Sequence, residues 1–262
     1  MMRLVGLTQL FLLLGPCSAL QSFMPKFANP FAQAVSTGQK MVSNTREIED
    51  KLLAEISNLD GRLANSEEIN ALVLALENSR EVSIPQPAIA NQVYGRWRLL
   101  YTTNAETASP IQRKAVDTSK FPIYQDIIFN ENNQLVVSQV VKFSDTAELR
   151  VDALASTSAY PLAELTERKS TGKVLGLNVL GVSLVGEEAE PDATRPDSRI
   201  DFVFDEGKFD LGSFQVPYPV PFRSPWFRDW VKGWIDITWL SDRIRISRGN
   251  KGSTFILIKE EE

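Results

Sequence analysis

Histidine is absent from the 262 residues, and cysteine occurs once, at Cys17. These absences remove His/Cys zinc sites, thiol nucleophiles, disulfides and a Ser–His–Asp arrangement from the folded part of the chain. No GxSxG or GxGxxG sequence and no phosphate-cradling P-loop is present either. Gly181-Val182-Ser183-Leu184-Val185-Gly186 misses the first pattern by one residue and reads as a strand. Long apolar runs are missing as well: nothing beyond the N-terminus approaches the ~18 uninterrupted apolar residues of a membrane span. A carboxylate-only metal site or a carboxylate acid/base pair stays open on composition alone. With 43% hydrophobic and 23% charged residues the chain can bury a real core. Its length fits one domain with an extension, or two small domains.

The N-terminus is unusual in charge. Residues 4–14 (LVGLTQLFLLL) form a short apolar core behind Arg3, followed by Gly15, Pro16 and the small residues Cys17, Ser18 and Ala19. That order is the expected layout of a signal peptide over residues 1–19. Residues 20–46 contain no Asp or Glu, and the first acid of the chain is Glu47. A basic, Ser- and Phe-bearing leader behind a signal peptide resembles the two-part plastid presequences of algae with secondary plastids, with Phe23 or Phe27 near the cleavage point. The alternative is plain secretion with a disordered mature N-terminus. The first 46 residues hold four basic side chains and no acidic ones, against a net charge of −5 for the whole. The remainder is therefore more acidic still, which argues against a nucleic-acid partner.

Residues 47–84 read as a helical preface. Ile48, Leu52, Ile56, Leu59 and Leu63 recur at helical spacing, then Ile69, Leu72, Val73 and Leu76. Gly61 separates the runs, and Ser66 followed by Glu67, Glu68 and Asn70 marks a second helix start, so two short amphipathic helices are expected. Pro85 and Pro87 end them. From Arg96 the period becomes strand-like. The expected strands are 97–103, 123–129, 135–143, 147–155, 173–177, 183–185, 200–204, 208–214, 234–240, 243–248 and 253–259. No long helix separates them, so a parallel βαβ sheet is excluded and an antiparallel barrel of about eight to ten strands over residues 85–260 is expected, with a sandwich as the alternative. The class is mainly β (α+β). Phe255 and Leu257 share one face of the last strand while Ile256 and Ile258 fill the other; such strands need material on both sides, and the two helices are candidates for the outside.

Two motifs carry a family resemblance. Gly95-Arg96-Trp97 at the first strand resembles the lipocalin signature, in which an Arg near the end of the chain stacks on the Trp; Arg245 and Arg248 are the candidates. GWIDITWLSDRIRISRGNKGSTFILIK, residues 233–259, is closely similar to the C-terminal signature of the plastid lipid-associated proteins, or plastid fibrillins. The matching residues are Gly233, Trp234, Asp236, Trp239, Arg245, Ile246, Ser247, Arg248, Gly249 and Gly252, with Trp239 standing where Tyr is usual and Ile244 where Leu is usual. Residues 97–103 (WRLLYTT) match that family's first strand, and LVLALENSREVSIPQP its helix-to-proline entry. The resemblance covers residues 47–260 as one domain.

It implies a lipocalin-like antiparallel β-barrel in a plastid, at plastoglobules, thylakoids or in the stroma. It implies a non-catalytic protein without metal or cofactor, whose partner is an apolar lipid such as a carotenoid or prenylquinone. A scaffold that activates an enzyme of prenylquinone metabolism is the second reading, and an isomerase or hydrolase of isoprenoids a third. Trp97, Tyr101, Trp234, Trp239, Arg245 and Arg248 are the candidate ligand residues. The two arginines either hold the barrel end against Trp97 or Asp236, or recognise a polar head such as a quinone carbonyl or a diphosphate. Trp234 and Trp239, five apart, are expected on opposite faces of their strand, and Asp236 is expected to pair with an arginine. The proline–aromatic stretch 217–230 either packs over the barrel mouth or dips into a lipid monolayer through Tyr218, Phe222, Trp226 and Phe227.

Overall fold

The computed structural model describes residues 30–59, 66–79, 83–103, 121–166, 190–229, 231–250 and 252–261, with four two-residue strands between 173 and 187. The expected signal peptide lies outside the described residues. The chain divides into two compact units, Met1–Lys40 and Met41–Glu262, and every side-chain contact below belongs to the second.

Helix α1 is Pro30–Ser57. It is longer than the short helix expected and begins upstream of residue 47, because no proline and a single glycine, Gly38, interrupt the segment after Pro30 and a proline is well placed at a first helical position. Helix α2, Glu67–Asn78, starts where the sequence places it: the Ser66 hydroxyl accepts the Ile69 backbone N–H at 3.2 Å, and Glu67 and Glu68 complement the dipole of the first turn. It buries Ile69, Val73 and Leu76, the residues of its apolar stripe.

The strands are β1 Gly95–Thr102, β2 Ile123–Phe129, β3 Leu135–Lys142, β4 Glu148–Ser156, β5 Lys173–Val174, β6 Asn178–Val179, β7 Val182–Ser183, β8 Gly186–Glu187, β9 Arg199–Asp210, β10 Gln215–Pro217, β11 Lys232–Leu240, β12 Ile244–Gly249 and β13 Thr254–Lys259. Nine form one antiparallel sheet in the order β10-β9-β11-β12-β13-β1-β2-β3-β4, and a further pairing of β9 with β4 closes it. The result is an eight-stranded barrel with β10 as an extra edge, so the barrel expectation holds and the sandwich does not. β5 pairs with β8 and β6 with β7 outside this sheet, so the expected strands at 173–177 and 183–185 are not barrel staves.

Two expected strands, 200–204 and 208–214, are one. Asp205-Glu206-Gly207 resembles a turn in sequence but is an irregularity within β9, where the register against β4 shifts at Asp152/Ala153. Residues 211–214 then form the turn into β10. Pro217 sits at the end of that edge strand, opposite Lys208, the one kind of place in a sheet that tolerates a residue without an N–H.

Closure gives the sheet an inside and an outside. Trp97, Leu99, Ile127, Leu135, Val137, Ala155, Ile200, Ile235, Ile237, Leu240 and Leu257 form the inner core. A second core lies between the outer face and the helices, where Leu52, Ile69, Val73 and Leu76 pack on Tyr101, Trp239, Ile244, Ile246 and Ile256. The helices therefore cover the outside, as the doubly apolar last strand requires. Two bulges set this division, between Leu99 and Tyr101 in β1 and between Ile237 and Trp239 in β11. Each adds a residue and moves the following side chain to the other face. Glu49 of α1 fastens the seam: it is 3% exposed, accepts the Trp239 indole N–H at 3.0 Å and pairs with Arg243 at 2.9 Å.

Truncating Leu52 to alanine at this seam should cost about 2–5 kcal/mol in urea unfolding. Glu49→Ala should lower stability too, by leaving the buried Trp239 N–H without its acceptor and Arg243 with only the exposed Asp50, whereas the exposed Leu74→Ala should change little.

Candidate functional site

One end of the barrel is closed by the chain itself. Residues 83–94 cross it, tied by the Ile84 N–H to the Leu240 carbonyl at 3.0 Å and the Ala88 N–H to the Asp197 carbonyl at 2.8 Å. Ala88 and Val93 are buried there within the inner core. Gly95 turns the chain into β1 with φ +104°, a conformation that disfavours any side chain. Trp97 follows, fully buried, its indole N–H donated to the Val93 carbonyl at 2.8 Å. Two cations lie against its ring: Arg245, with Cζ 4.9 Å from the centroid, and Lys259, with Nζ at 4.6 Å. The lysine also donates to the carbonyls of Gln92 and Tyr94.

Arg245 stands on the inner face of β12, opposite Leu257 of β13 and Leu240 of β11. No part of it reaches solvent. One amino group, Nη2, donates to the Gln125 side-chain carbonyl, while Nε and Nη1 have no hydrogen-bond partner. Ser247, two residues along the same face, is buried with its hydroxyl also unpartnered. Burial alone pushes the arginine well below its ordinary value, to about 9, with no carboxylate close enough to oppose it. A cation held this way costs on the order of several kcal/mol unless something compensates it. The ring of Trp97 offers part of that, typically about 0.5–2 kcal/mol. A third orphan, the Tyr94 hydroxyl, lies at the same end; burial raises its pKa and Tyr160 adds to the effect.

The acids lie elsewhere. Among the described strand residues, those that share the inner face with Leu99, Val137, Ala155, Ile200 and Leu257 include no Asp or Glu. Asp126 and Asp152 are on the outside with Arg96 and Arg150. Asp205 is paired with Arg223, whose hydrogen bond holds its carboxyl below the usual range. No group of three residues able to hold a metal occurs among the described residues.

Of the six candidate ligand residues, the structure brings two together inside, Trp97 and Arg245. Tyr101 and Trp239 belong to the outer core, because each follows a bulge. Trp234 and Trp239 therefore share the outer face and do not divide between the two. Trp234 lies under the Arg199 guanidinium at 4.0 Å, and Arg199 also holds Asp236 through two hydrogen bonds of 2.7 Å. The arginine that Asp236 pairs with is thus neither Arg245 nor Arg248. Arg248 faces outward and grips Glu77 of α2 at 2.7 Å, so it does not stack on Trp97.

The proline–aromatic stretch divides. Phe222 is 2% exposed and packs with Val203, Val220 and Val231, so its ring is not available to a surface. Tyr218 stacks on Phe222 at 6.1 Å. Trp226 is 82% exposed. The side chain of Phe227 lies outside the described residues. Gly233 lets the Phe202 ring lie against the strand, since a Cβ there would meet it at 2.6 Å. Gly249 ends β12, and Gly252 makes the turn to β13 with φ +71°.

Sequence reading missed Gln125 and Lys259 at the closed end. Alternation contains both: Gln125 shares its face with Ile123 and Ile127, and Lys259 with Leu257. Arg199, at a strand start, carries no comparable signal.

Residues 46–258 match the family described as PAP_fibrillin. A relative from Arabidopsis thaliana described as "Probable plastid-lipid-associated protein 12, chloroplastic" is 35% identical over 232 residues, which is 86% of this chain and 47% of that protein. The chain thus spans about half the length of the curated relative it matches. No solved structure matches it.

Gly233→Ala should lower stability by about 1–3 kcal/mol, since Phe202 must leave its place to admit one methyl group. Adding Phe202→Leu should recover part of that loss in a double-mutant cycle followed by urea unfolding.

Proposed function

Since the chain belongs to the PAP_fibrillin family of plastid lipid-associated proteins, we propose that it binds or organises an apolar isoprenoid lipid, such as a carotenoid or a prenylquinone, in a structural or carrier role. The observation that carries this reading is the inner face of the barrel. It is apolar from Leu99 round to Leu257 and interrupted at the closed end by a small polar group with unsatisfied donors. Apolar walls with few convergent polar atoms are the make-up of a lipid site. Arg245 has no carboxylate beside it, which supports binding without turnover, because an acid/base pair is missing from the described inner face.

The plastid is the compartment this reading requires, at plastoglobules, thylakoids or in the stroma. The printed name of the Arabidopsis relative and the acid-free leader behind an apolar N-terminus both support it, and the leader favours a plastid of secondary origin. Peripheral contact with a lipid surface would use Trp226, whose ring is almost wholly exposed.

A second reading, a non-catalytic scaffold for an enzyme of prenylquinone metabolism, is favoured by a different feature. Phe143, Leu211, Phe214 and Val216 are all exposed, at neighbouring turns that join β3 to β4 and β9 to β10. Apolar residues grouped in this way suit a protein partner.

Solvent extraction and mass spectrometry of the protein purified from its native plastid should yield a prenyl lipid in near-stoichiometric amount. A stoichiometric protein partner with no lipid would favour the scaffold. Trp226→Ser should reduce flotation with plastoglobules while leaving the circular dichroism spectrum intact; unchanged flotation would remove this residue from the contact.

A further inference from the structure

We propose that the closed end of the barrel is a receptor for an anionic head, a carboxylate or a phosphate, of a lipid whose tail lies along the apolar inner face, with Arg245 and Ser247 as its ligands. This rests on the reading of the barrel as a lipid binder and narrows it from neutral isoprenoids to lipids that carry a charge at one end.

Three observations converge. Arg245 is wholly buried and keeps two donors, Nε and Nη1, without partners, and the Ser247 hydroxyl next to it on the same face is a third. Only Nη2 is engaged, by Gln125. Such groups are rare in folded proteins because each forfeits its hydration for nothing, and a charged one forfeits most. The second observation concerns charge. Arg245 and Lys259 both lie against the Trp97 ring, and the described residues of the inner face include no carboxylate. A neutral head such as a quinone carbonyl would accept one or two of the hydrogen bonds but leave the charge of Arg245 uncompensated. An anion answers the donors and the charge together. The third is direction. Trp97, Ala88 and Val93 fill the space beyond the arginine at the closed end. A head seated there would send its tail the other way, and Ile237, Leu99 and Val137, packed in the same core, would have to part to admit it.

The bland alternative is that Arg245 is a pin, stacked on Trp97 only to close the barrel. The two differ in sign. A pin stabilises the protein without lipid, so its removal lowers the melting temperature and weakens every ligand alike. A receptor for an anion is a liability until occupied. Replacing it by an apolar side chain of similar length therefore spares or raises the stability of the lipid-free protein and removes only the preference for the charged head.

The test uses the full chain, delipidated, with paired probes: a fluorescent polyene fatty acid against its methyl ester, and geranylgeranyl diphosphate against geranylgeraniol. The anionic member of at least one pair should bind about tenfold tighter or better than its neutral partner. Arg245→Met should abolish that difference, with affinity for the neutral probe kept and a melting temperature no lower than that of the parent. Ser247→Ala, which removes one hydroxyl, should weaken the anionic probe alone by a few-fold and carries the test should Arg245→Met fail to fold. Preference for the fatty acid identifies a carboxylate lipid, and preference for the diphosphate a prenyl phosphate. Equal binding of charged and neutral probes overturns the anionic head while leaving the lipid-binding function standing. Failure of all four probes to bind removes that function as well.

Discussion

Pairing between β4 and β9 is the contact on which the rest of the molecule turns. Without it the sheet has two free edges and two faces that differ only in what happens to pack on them. With it, one face is sealed from water by geometry, and every residue on that face must be apolar, paired or compensated by something that enters. The helices then have a defined task, to cover the outer stripe formed by Tyr101, Trp239, Ile244, Ile246 and Ile256. The crossing segment 83–94 has another, to stopper one end. Charged side chains sort accordingly. Arg96, Arg150, Arg199, Arg243 and Arg248 find carboxylates on the outside. Arg245, on the same strand as Arg248 but three residues away, points inward and finds none.

That difference of three residues shows how one motif can serve two purposes. Residues 233–259 contain the tie to α2 through Arg248, the tie to α1 through Trp239 and Arg243, the support of Trp234 and Asp236 by Arg199, and the inward cation. All but the last are accounted for by packing and pairing within the chain. Among these charged groups Arg245 alone keeps buried donors that nothing in the chain answers, which is what the proposed anionic head would supply.

Much of this was legible in the residues. The helix start at Ser66, the strand periodicity after Arg96, the burial of the last strand on both faces and the cation over Trp97 follow from capping chemistry, alternation and the placement of one Gly-x-Trp. Other features were hidden for definite reasons. A two-residue period assumes an uninterrupted strand, so the bulges in β1 and β11 put Tyr101 and Trp239 on the face opposite to the one alternation assigns. Asp205-Glu206-Gly207 has the composition of a turn, and only the partner strand shows that it is a kink within β9. Helix α1 reaches back to Pro30 because an acid-free segment can be helical, and charge composition says little about conformation. The site was half legible: Trp97 and Arg245 announced themselves by motif, whereas the unsatisfied donors exist only in three dimensions.

The bulges have a consequence of another kind. Each lets a single strand line the interior over one half and the helix seam over the other. Deleting one residue at Leu100 or Thr238 would straighten the strand and exchange the two sets of side chains beyond that point, turning Tyr101 or Trp239 inward and exposing their seam. A conservative substitution at the same place would disturb a few contacts. In β1 and β11, then, the count of residues is more tightly constrained than their identity, and tolerance of insertions and deletions should fall sharply there compared with the turns at either end of the barrel.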